Sequence, residues 1–262
     1  MVFEDSLLKN AGLLAEMVDD IEIILFHIPT LHNIPTPEEI HALKKTGEQE
    51  DVTFTVHLPT SLEIASPDKE QRRESVQLAR EIFMRMAELE PRHYILHVPF
   101  SPPTLVPTPG LYFKFENDSK WDEWTGRTLE SLEILHGVLG NADKLLVENI
   151  NYSPRFLEPF LESGLCELCL DLGHLVLGRE KVMDHLNRYL DVTRVIHLHG
   201  IDGHNGHLSL TWLPKDQVHE WLRYLHRNSF QGVITLEIFS HRDLEESMEI
   251  VLEAFFNEPH NS

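Results

Sequence analysis

Short apolar runs alternate with amphipathic stretches along almost the whole chain. Seven of these runs are rich in β-branched and aliphatic residues and have the length of a strand. Strands that are buried on both faces read as continuous apolar runs, and they belong to parallel sheets covered by helices. The runs therefore predict parallel strands at 21–27, 53–58, 93–98, 144–149, 167–172, 194–199 and 233–238.

Amphipathic stretches between the runs predict the helices. The clearest helix start is at Thr36, an N-cap residue followed by proline at the first helical position and by two acids in the first turn. Further helices are expected at 5–18, 69–89, 122–139, 155–162, 179–189, 215–227 and 244–256. Because strands and helices alternate without a linker or low-complexity tract, the pattern predicts one α/β domain over residues 1–262, a (β/α) TIM barrel.

The composition is typical of a cytoplasmic globular protein. Of the 262 residues 42% are hydrophobic, which is enough for one large core. Cys166 and Cys169 are the only cysteines, and a strand would place them on opposite faces, so both are expected in the core. No apolar run is long enough to span a bilayer and no signal peptide follows Met1, so a membrane partner is not expected.

The charge narrows the class of ligand. The formal net charge is −21, from 43 acidic and 22 basic residues. Because the backbone of a nucleic acid binds to a positive surface, nucleic acid is disfavoured and a small-molecule substrate is expected. The sequence leaves the oligomeric state open.

Polar side chains occur at or near the ends of six predicted strands, where a TIM barrel carries its active site. On each strand the residue two positions earlier shares the same face and is apolar or small: Thr55, Ile95, Leu146, Cys169, Val195 and Thr235. If these faces line the barrel, six candidate ligands meet on one rim: His57, His97, Glu148, Asp171, His197 and Glu237.

Two loops add candidates to this rim. The segment Asp171-Leu-Gly-His174 turns at Gly173 and can return His174 to the side of Asp171, while His207 ends the glycine-rich loop after His197. Each residue alone could be a core or surface side chain with satisfied hydrogen bonds. A rim of buried acids and histidines is costly unless it is paired or bound to metal, so the whole set favours a metal centre.

The donor set fits Zn²⁺ or Mn²⁺, because both ions take imidazole and carboxylate ligands. A single ion would use three or four of these groups. Eight candidates, three of them carboxylates, can hold two or three ions that share a bridging carboxylate. Such clusters clamp a phosphodiester, activate a water molecule and stabilise the leaving oxygen. We therefore expect one to three divalent ions.

Four motifs carry a resemblance to a known family. E-N-I-N (148–151), C-L-D-L-G-H (169–174), I-H-L-H (196–199) and L-E-I-F (236–239) resemble the xylose-isomerase-like barrel superfamily, which includes endonuclease IV-type phosphodiesterases and sugar epimerases. More narrowly, six segments resemble the cobamide-remodelling phosphodiesterases, which cut the nucleotide loop of corrinoids. These segments are 18–26, 55–59, 169–175, 193–200, 206–210 and 232–240.

The resemblance implies a function and a ligand set. It implies a metal-dependent phosphodiesterase that hydrolyses a phosphoester of the nucleotide loop of cobamides. It also implies that Glu148 is a bridging ligand, and that Glu148 and Glu237 are the catalytic carboxylates. The implied metal ligands are His57, His97, Glu148, Asp171, His174, His197, His207 and Glu237. His199 and Asp202 match the family less well, so each is as readily a supporting or solvated residue.

The sequence departs from the family at two points. Endonuclease IV-type relatives have an acid two positions before the last-loop histidine, but here this position is Asn205, which puts a third metal site in doubt. The family also has a strand ahead of the first helix, whereas this sequence begins directly before that helix. Seven strands would leave two exposed sheet edges. The barrel would then close irregularly, a partner would cover the gap, or the native chain would start upstream.

Two other functions stay open. A sugar isomerase or epimerase would use Glu148, Asp171, His197 and Glu237 around one ion, with the two glutamates exchanging a proton next to a carbonyl. A non-catalytic corrinoid- or metal-binding barrel is the other alternative. The long Pro- and aromatic-rich loop at 99–121 either covers a flat ligand such as a corrin ring or packs on the helices.

Overall fold

Seven parallel strands form a single sheet, in chain order, that curls into a nearly closed barrel. The computed structural model describes residue 2 and residues 6–100, 105–107 and 113–256. Every predicted run contains a strand, and the parallel order confirms the α/β TIM-barrel fold. The strands are β1 (Asp20–Ile24), β2 (Thr53–His57), β3 (Tyr94–His97), β4 (Leu145–Glu148), β5 (Glu167–Asp171), β6 (Thr193–Leu198) and β7 (Val233–Leu236).

Helices surround the sheet, and most coincide with the predicted stretches. They are α1 (Leu7–Leu14), α2 (Pro37–Glu50), α3 (Lys69–Met86), α4 (Asp118–Leu139), α5 (Glu158–Glu162), α6 (Leu172–Leu177), α7 (Val182–Tyr189), α8 (Lys215–Arg227) and α9 (His241–Phe256). The start of α2 is confirmed, because Thr36 and Glu39 form a reciprocal capping box.

Helix α6 is the main departure from the prediction. It begins directly after β5, because the carboxylate of Asp171 accepts a hydrogen bond from the backbone N–H of His174 at 2.7 Å. The sequence pattern predicted a helix from residue 179, but α7 starts at Val182. The first helix is also shorter than its predicted range of 5–18, since α1 ends at Leu14.

An apolar layer fills the barrel below the strand ends. Its buried members are Ile95, Leu146, Cys169, Val195 and Val233. Four of these are residues predicted to face inward, so the predicted register of β3 to β6 is confirmed. Cys166 lies instead in the larger core between sheet and helices. The two thiols are therefore buried on opposite sides of the sheet, and both are free.

The seam of the barrel lies between β1 and β7. These two edge strands share no hydrogen-bonded ladder. A side chain bridges them instead: Oε2 of Glu22 on β1 accepts a hydrogen bond from Oγ1 of Thr235 on β7 at 3.1 Å. The seven-stranded barrel is thus nearly closed, with a side-chain contact where β1 and β7 lack a ladder.

Part of the long loop after β3 packs against the helices. Phe115 is buried, and its ring centroid lies 4.3 Å from that of Phe100 and 5.3 Å from that of Trp124. For this residue the packed arrangement is the one observed. Residues 101–104 and 108–112, with most of the proposed flap, lie outside the described residues. No helix in the described part of the chain is long and apolar enough to cross a membrane.

Candidate metal centre

The strand-end side chains meet at one end of the barrel in two groups that share Glu148. Within each group the candidate ligand atoms lie within 4.8 Å of one another. The first group is His57, His97 and Glu148, from the ends of β2, β3 and β4. The second is Glu148, Asp171, His197 and Glu237, from β4, β5, β6 and the residue after β7.

Acceptor atoms converge in the first group. The Nε2 atoms of His57 and His97 each lie 3.1 Å from Oε2 of Glu148. The other ring nitrogen of His57, Nδ1, lies 2.8 Å from the carbonyl oxygen of Leu58, which fixes the proton of a neutral ring there. The lone pair on Nε2 then faces a carboxylate oxygen. Two acceptors at this distance require a proton or a cation between them, and a divalent ion fits the donor set.

When no cation is present, the contacts between His57, His97, His197 and Glu148 set the pKa values of His57 and Glu148. Burial lowers the pKa of His57, but the hydrogen bond to Glu148 and its charge outweigh burial and raise the pKa to about 9. Burial raises the pKa of the Glu148 carboxyl, but the neighbouring His197 and His97 imidazoles hold it well below its ordinary value. Glu148 is therefore an ionised carboxylate, the form that a metal ion binds.

The second group contains four buried polar atoms that have no hydrogen-bond partner among the described residues. They are Oε1 of Glu148, Oδ2 of Asp171, Nδ1 of His197 and Oε2 of Glu237. Nδ1 of His197 lies 3.4 Å from Oε1 of Glu148 and 3.3 Å from Oε2 of Glu237. Buried polar atoms are almost always satisfied, so four such atoms facing one point fit a bound cation. The two oxygens of Glu148 serve different groups, as in a bridging ligand.

Three histidines form a third group beside the second: His174, His199 and His207. Nδ1 of His174 lies 3.0 Å from the carbonyl oxygen of Asn149, so its Nε2 is the free nitrogen. His207 has a left-handed backbone with φ of 59°, which is uncommon outside glycine and typical of functional loops. His174 and His207 thus reach the rim, as the sequence predicted.

His199 differs from His174 in which ring nitrogen carries the proton of the neutral ring. Its Nδ1 accepts a hydrogen bond from the backbone N–H of His207 at 2.9 Å, so a neutral ring carries its proton on Nε2. That Nε2 lies 3.3 Å from Oδ1 of Asp171. Burial lowers the pKa of His199, but the charge of Asp171 outweighs burial and raises the pKa to about 9. The ring therefore lies against Asp171, but its Nε2 is buried without a hydrogen-bond partner in the described part of the chain and is also a candidate ligand atom of the third group.

Two glycines make the slot that holds the His199 ring. A Cβ at Gly173 would lie 2.1 Å from Cε1 of His199, and one at Gly206 would lie 2.8 Å from the same atom. Any larger residue at either position would displace the imidazole. His199 is fully buried, so it is not a solvated residue.

The loop before His207 supplies no carboxylate to the third group. Asn205 is exposed, and its side-chain amide donates to Oδ2 of Asp202 at 2.8 Å. Asp202 also accepts the backbone N–H groups of His204 and Asn205, and these bonds lower the pKa of its carboxyl to about 2. The side chains of Asp202 and Asn205 form their hydrogen bonds within the turn, so the third group consists of histidines alone.

Sequence reasoning missed two buried residues of the site. Oε2 of Glu22 lies 2.9 Å from Nε2 of His197, but Glu22 is in the middle of a strand, where strand-end reasoning did not look. An acid between Ile21 and Ile23 in an apolar run was the available signal. Asn149 holds Asp171 by two hydrogen bonds, one to its backbone N–H and one to its carbonyl oxygen.

Fold and site define a TIM-barrel protein with a buried histidine–carboxylate centre at the carboxyl ends of its strands. The family described as "Xylose isomerase-like TIM barrel" matches residues 13–257, and the chain belongs to this family. None of the curated proteins compared with the chain matches it significantly.

Solved structures with the same fold include sugar epimerases. A D-tagatose 3-epimerase-like protein has a TM-score of 0.74 at 18% identity, with 95% of this chain and 93% of that chain covered. The 3-keto-D-glucoside 4-epimerase of E. coli has a TM-score of 0.69 at 14% identity, with 96% and 95% covered. D-allulose 3-epimerase from Methylomonas sp., in complex with D-allulose, has a TM-score of 0.66 at 14% identity, with 96% and 93% covered. At these identities the likeness is one of fold.

Proposed function

We propose that the chain is a divalent-metal-dependent hydrolase of phosphodiesters and that its substrate is the nucleotide loop of a cobamide. The observation that carries the hydrolase is Glu148, whose two oxygens face two different groups of ligand atoms. A carboxylate in this position would be able to hold a cation on each oxygen, and paired cations are typical of enzymes that cleave phosphate esters.

His57 and His97 argue for the second cation. The group of Asp171, His197, Glu237 and one oxygen of Glu148 is already complete for a single ion. Two further histidines on the other oxygen of Glu148 are unnecessary there. They also occupy the oxygen that a proton-transferring Glu148 would turn to its substrate. A second ion on this side accounts for both observations.

Zn²⁺ or Mn²⁺, when bound, would supply positive charge that lowers the pKa of a water molecule and neutralises the leaving oxygen. The chain's own groups hold and orient the ligands. The carbonyl oxygen of Leu58 fixes the proton of His57, and the two hydrogen bonds of Asn149 fix Asp171. Burial of Glu148 and Asp171 excludes bulk water from the ligand atoms.

Three rim histidines mark the side from which a substrate would approach. The side chains of His97 and His174 are 19% exposed and that of His207 is 34% exposed, whereas those of Glu148 and His197 are 1% and 0% exposed. The open side of the site therefore lies at these three histidines.

Cobamide as the substrate rests on the resemblance of six segments to the cobamide-remodelling phosphodiesterases. A pocket of about 700 Å³ on the same face of the barrel adds support. Trp121 and Phe156 line it together with the cations Lys114 and Arg155. Three carboxylates also line it, Glu116, Asp118 and Glu180, so its charge does not favour a phosphate, and only its aromatic side chains suit a bulky, partly apolar ligand.

A sugar isomerase or epimerase is the second candidate. The structures named above favour it, since they are those of two sugar epimerases and an epimerase-like protein, and none of the three is of a phosphodiesterase. In this case Glu148, Asp171, His197 and Glu237 would hold one ion. Glu148 and Glu237 would then exchange a proton with a carbon next to the substrate carbonyl.

One experiment separates the candidates. Protein loaded with Zn²⁺ or Mn²⁺ is incubated with cobalamin, with pseudocobalamin, and separately with D-tagatose and D-allulose, and the products are identified by mass spectrometry and NMR. We expect release of a nucleotide-loop fragment and unchanged sugars. Epimerised sugar without corrinoid cleavage would overturn the proposal in favour of the second candidate, and any metal-dependent turnover would exclude a non-catalytic barrel.

A further inference from the structure

Glu22 is a buried carboxylate at the seam of the barrel. Its side chain is 4% exposed, and it lies on β1, whose outer edge pairs with no strand among the described residues. Its Oε1 atom has no hydrogen-bond partner among the described residues. Burying a carboxylate inside a barrel costs stability, so an apolar residue would suit a purely structural role better.

Two hydrogen bonds tie Glu22 to strands that are distant in sequence. Its Oε2 atom accepts the Nε2–H of His197 on β6 at 2.9 Å and the hydroxyl of Thr235 on β7 at 3.1 Å. The same oxygen therefore links the first strand of the sheet to its last two strands. This link crosses the seam where a backbone ladder is lacking.

The bond to His197 also decides which nitrogen of that ring is a ligand atom. An ionised carboxylate only accepts hydrogen bonds, so a neutral His197 carries its proton on Nε2. Its Nδ1 lone pair then points to Glu148 and Glu237 at 3.4 and 3.3 Å. Carboxylates that accept the second N–H of a ligating imidazole fix both its tautomer and its orientation.

We infer that Glu22 is a positioning residue that holds His197 in its metal-binding tautomer and couples cation binding to closure of the barrel seam. The inference rests on the metal centre of the proposed function, but not on the identity of the substrate. Glu22 itself belongs to neither ligand group. A cation bound through His197 would, through Glu22, also stabilise the contact between β1 and β7.

The test compares two variants of Glu22 with a matched control. Glu22→Leu removes the acceptor, and Glu22→Gln keeps one neutral acceptor. Asp20→Asn makes the same charge change two residues earlier on the same face of β1, where Asp20 bonds Thr53 instead of a candidate ligand. Zn²⁺ and Mn²⁺ affinity is measured by calorimetry, and the protonated and the coordinating nitrogen of His197 by ¹⁵N NMR of the Zn²⁺-loaded protein.

We expect Glu22→Leu to weaken metal affinity by about 10- to 100-fold, with Glu22→Gln in between and Asp20→Asn within about twofold of the wild type. We also expect wild-type His197 to bind Zn²⁺ through Nδ1 with its proton on Nε2, and this signature to be lost or mixed in Glu22→Leu. Unchanged affinity and an unchanged coordinating nitrogen in folded Glu22→Leu and Glu22→Gln would overturn the inference. If Glu22 affects metal affinity as expected but no phosphodiester is cleaved, only the proposed substrate fails. A wild type that binds neither ion would overturn both proposals.

Discussion

Nε2 of His57 lies 3.1 Å from Oε2 of Glu148, and both side chains are at most 2% exposed. The backbone carbonyl of Leu58 holds the other nitrogen of the ring, at 2.8 Å. A neutral His57 therefore presents an acceptor to the carboxylate, so either a proton on Nε2, as in the metal-free protein, or a bound cation must lie between the two atoms. The first prediction tests for the cation.

His57→Ala and His97→Ala are each expected to remove one equivalent of bound metal. The second group, with Asp171, His197 and Glu237, retains its own ion because neither histidine belongs to it. Metal analysis of dialysed protein measures the change. His93→Gln is the control, since His93 precedes β3 at its opposite end and bonds the carbonyl of Asp143. Unchanged metal content in both alanine variants would favour the one-ion epimerase.

Gly173→Ala should disturb the site, although the substitution adds only one methyl group. The added methyl would lie 2.1 Å from Cε1 and 2.3 Å from Nε2 of His199, so the ring must move away from Asp171. Overpacking of this kind costs about 1–3 kcal/mol in the free energy of unfolding, which urea denaturation measures. Gly137→Ala is the matched control, because nothing lies within 4 Å of that helical position. The free energy of unfolding of Gly137→Ala should be unchanged or higher by up to about 1 kcal/mol. Equal effects of the two substitutions would contradict the proposed contact with His199.

The metal-free protein should lose stability as the pH rises from about 6.5 to about 9. His57 and His199 each have a pKa raised from 6.5 to about 9 in the folded state. A raised pKa contributes stability that is complete below the unfolded value and is lost as the pH passes the folded value. The lowered pKa values of Glu148 and Glu237 act only at acid pH and leave this window unaffected.

Saturating Zn²⁺ or Mn²⁺ should remove or reverse this trend, because a metal ion binds the neutral imidazole. Thermal denaturation with chelator and with metal, at matched pH values, measures both curves. Metal-free stability that stays level or rises between pH 6.5 and 9 would be inconsistent with the buried histidine–carboxylate pairs.

Thr36→Ala should destabilise the protein by about 0.5–2 kcal/mol through loss of the capping box at the start of α2. Thr46→Ala in the same helix is the control. The Thr46 hydroxyl bonds only the preceding carbonyl of Ala42, so alanine there should cost little. Chemical denaturation of the two variants gives the comparison, and a larger loss for Thr46→Ala would refute the capping argument.

The sequence predicted the strand-end side chains well because two periodic rules determine their position. Parallel strands share a carboxyl edge, and alternation fixes the face, so Ile95 and His97 had to point into the barrel together. The same rules failed for Glu22, since its importance depends on β7, more than 200 residues further along the chain. Helix α6 was missed because its cap, Asp171, was already assigned to the metal centre.

Tertiary contacts also decide the environment of His199. Alternation places it on the same face as His197, and from sequence a supporting or a solvated ring was at least as plausible as a ligand. The backbone N–H of His207 and the two flanking glycines fix its proton and its position. Those contacts depend on the path of the loop, which no local pattern encodes.

The central claim is that Glu148 bridges two neighbouring cations. Electron paramagnetic resonance of the Mn²⁺-loaded protein tests it most directly, because two Mn²⁺ ions that share a carboxylate are magnetically coupled. We predict a spin-coupled signal at two equivalents of Mn²⁺, which His57→Ala converts to the six-line signal of an isolated ion. An isolated-ion signal with saturation at one equivalent in the wild type would contradict the claim.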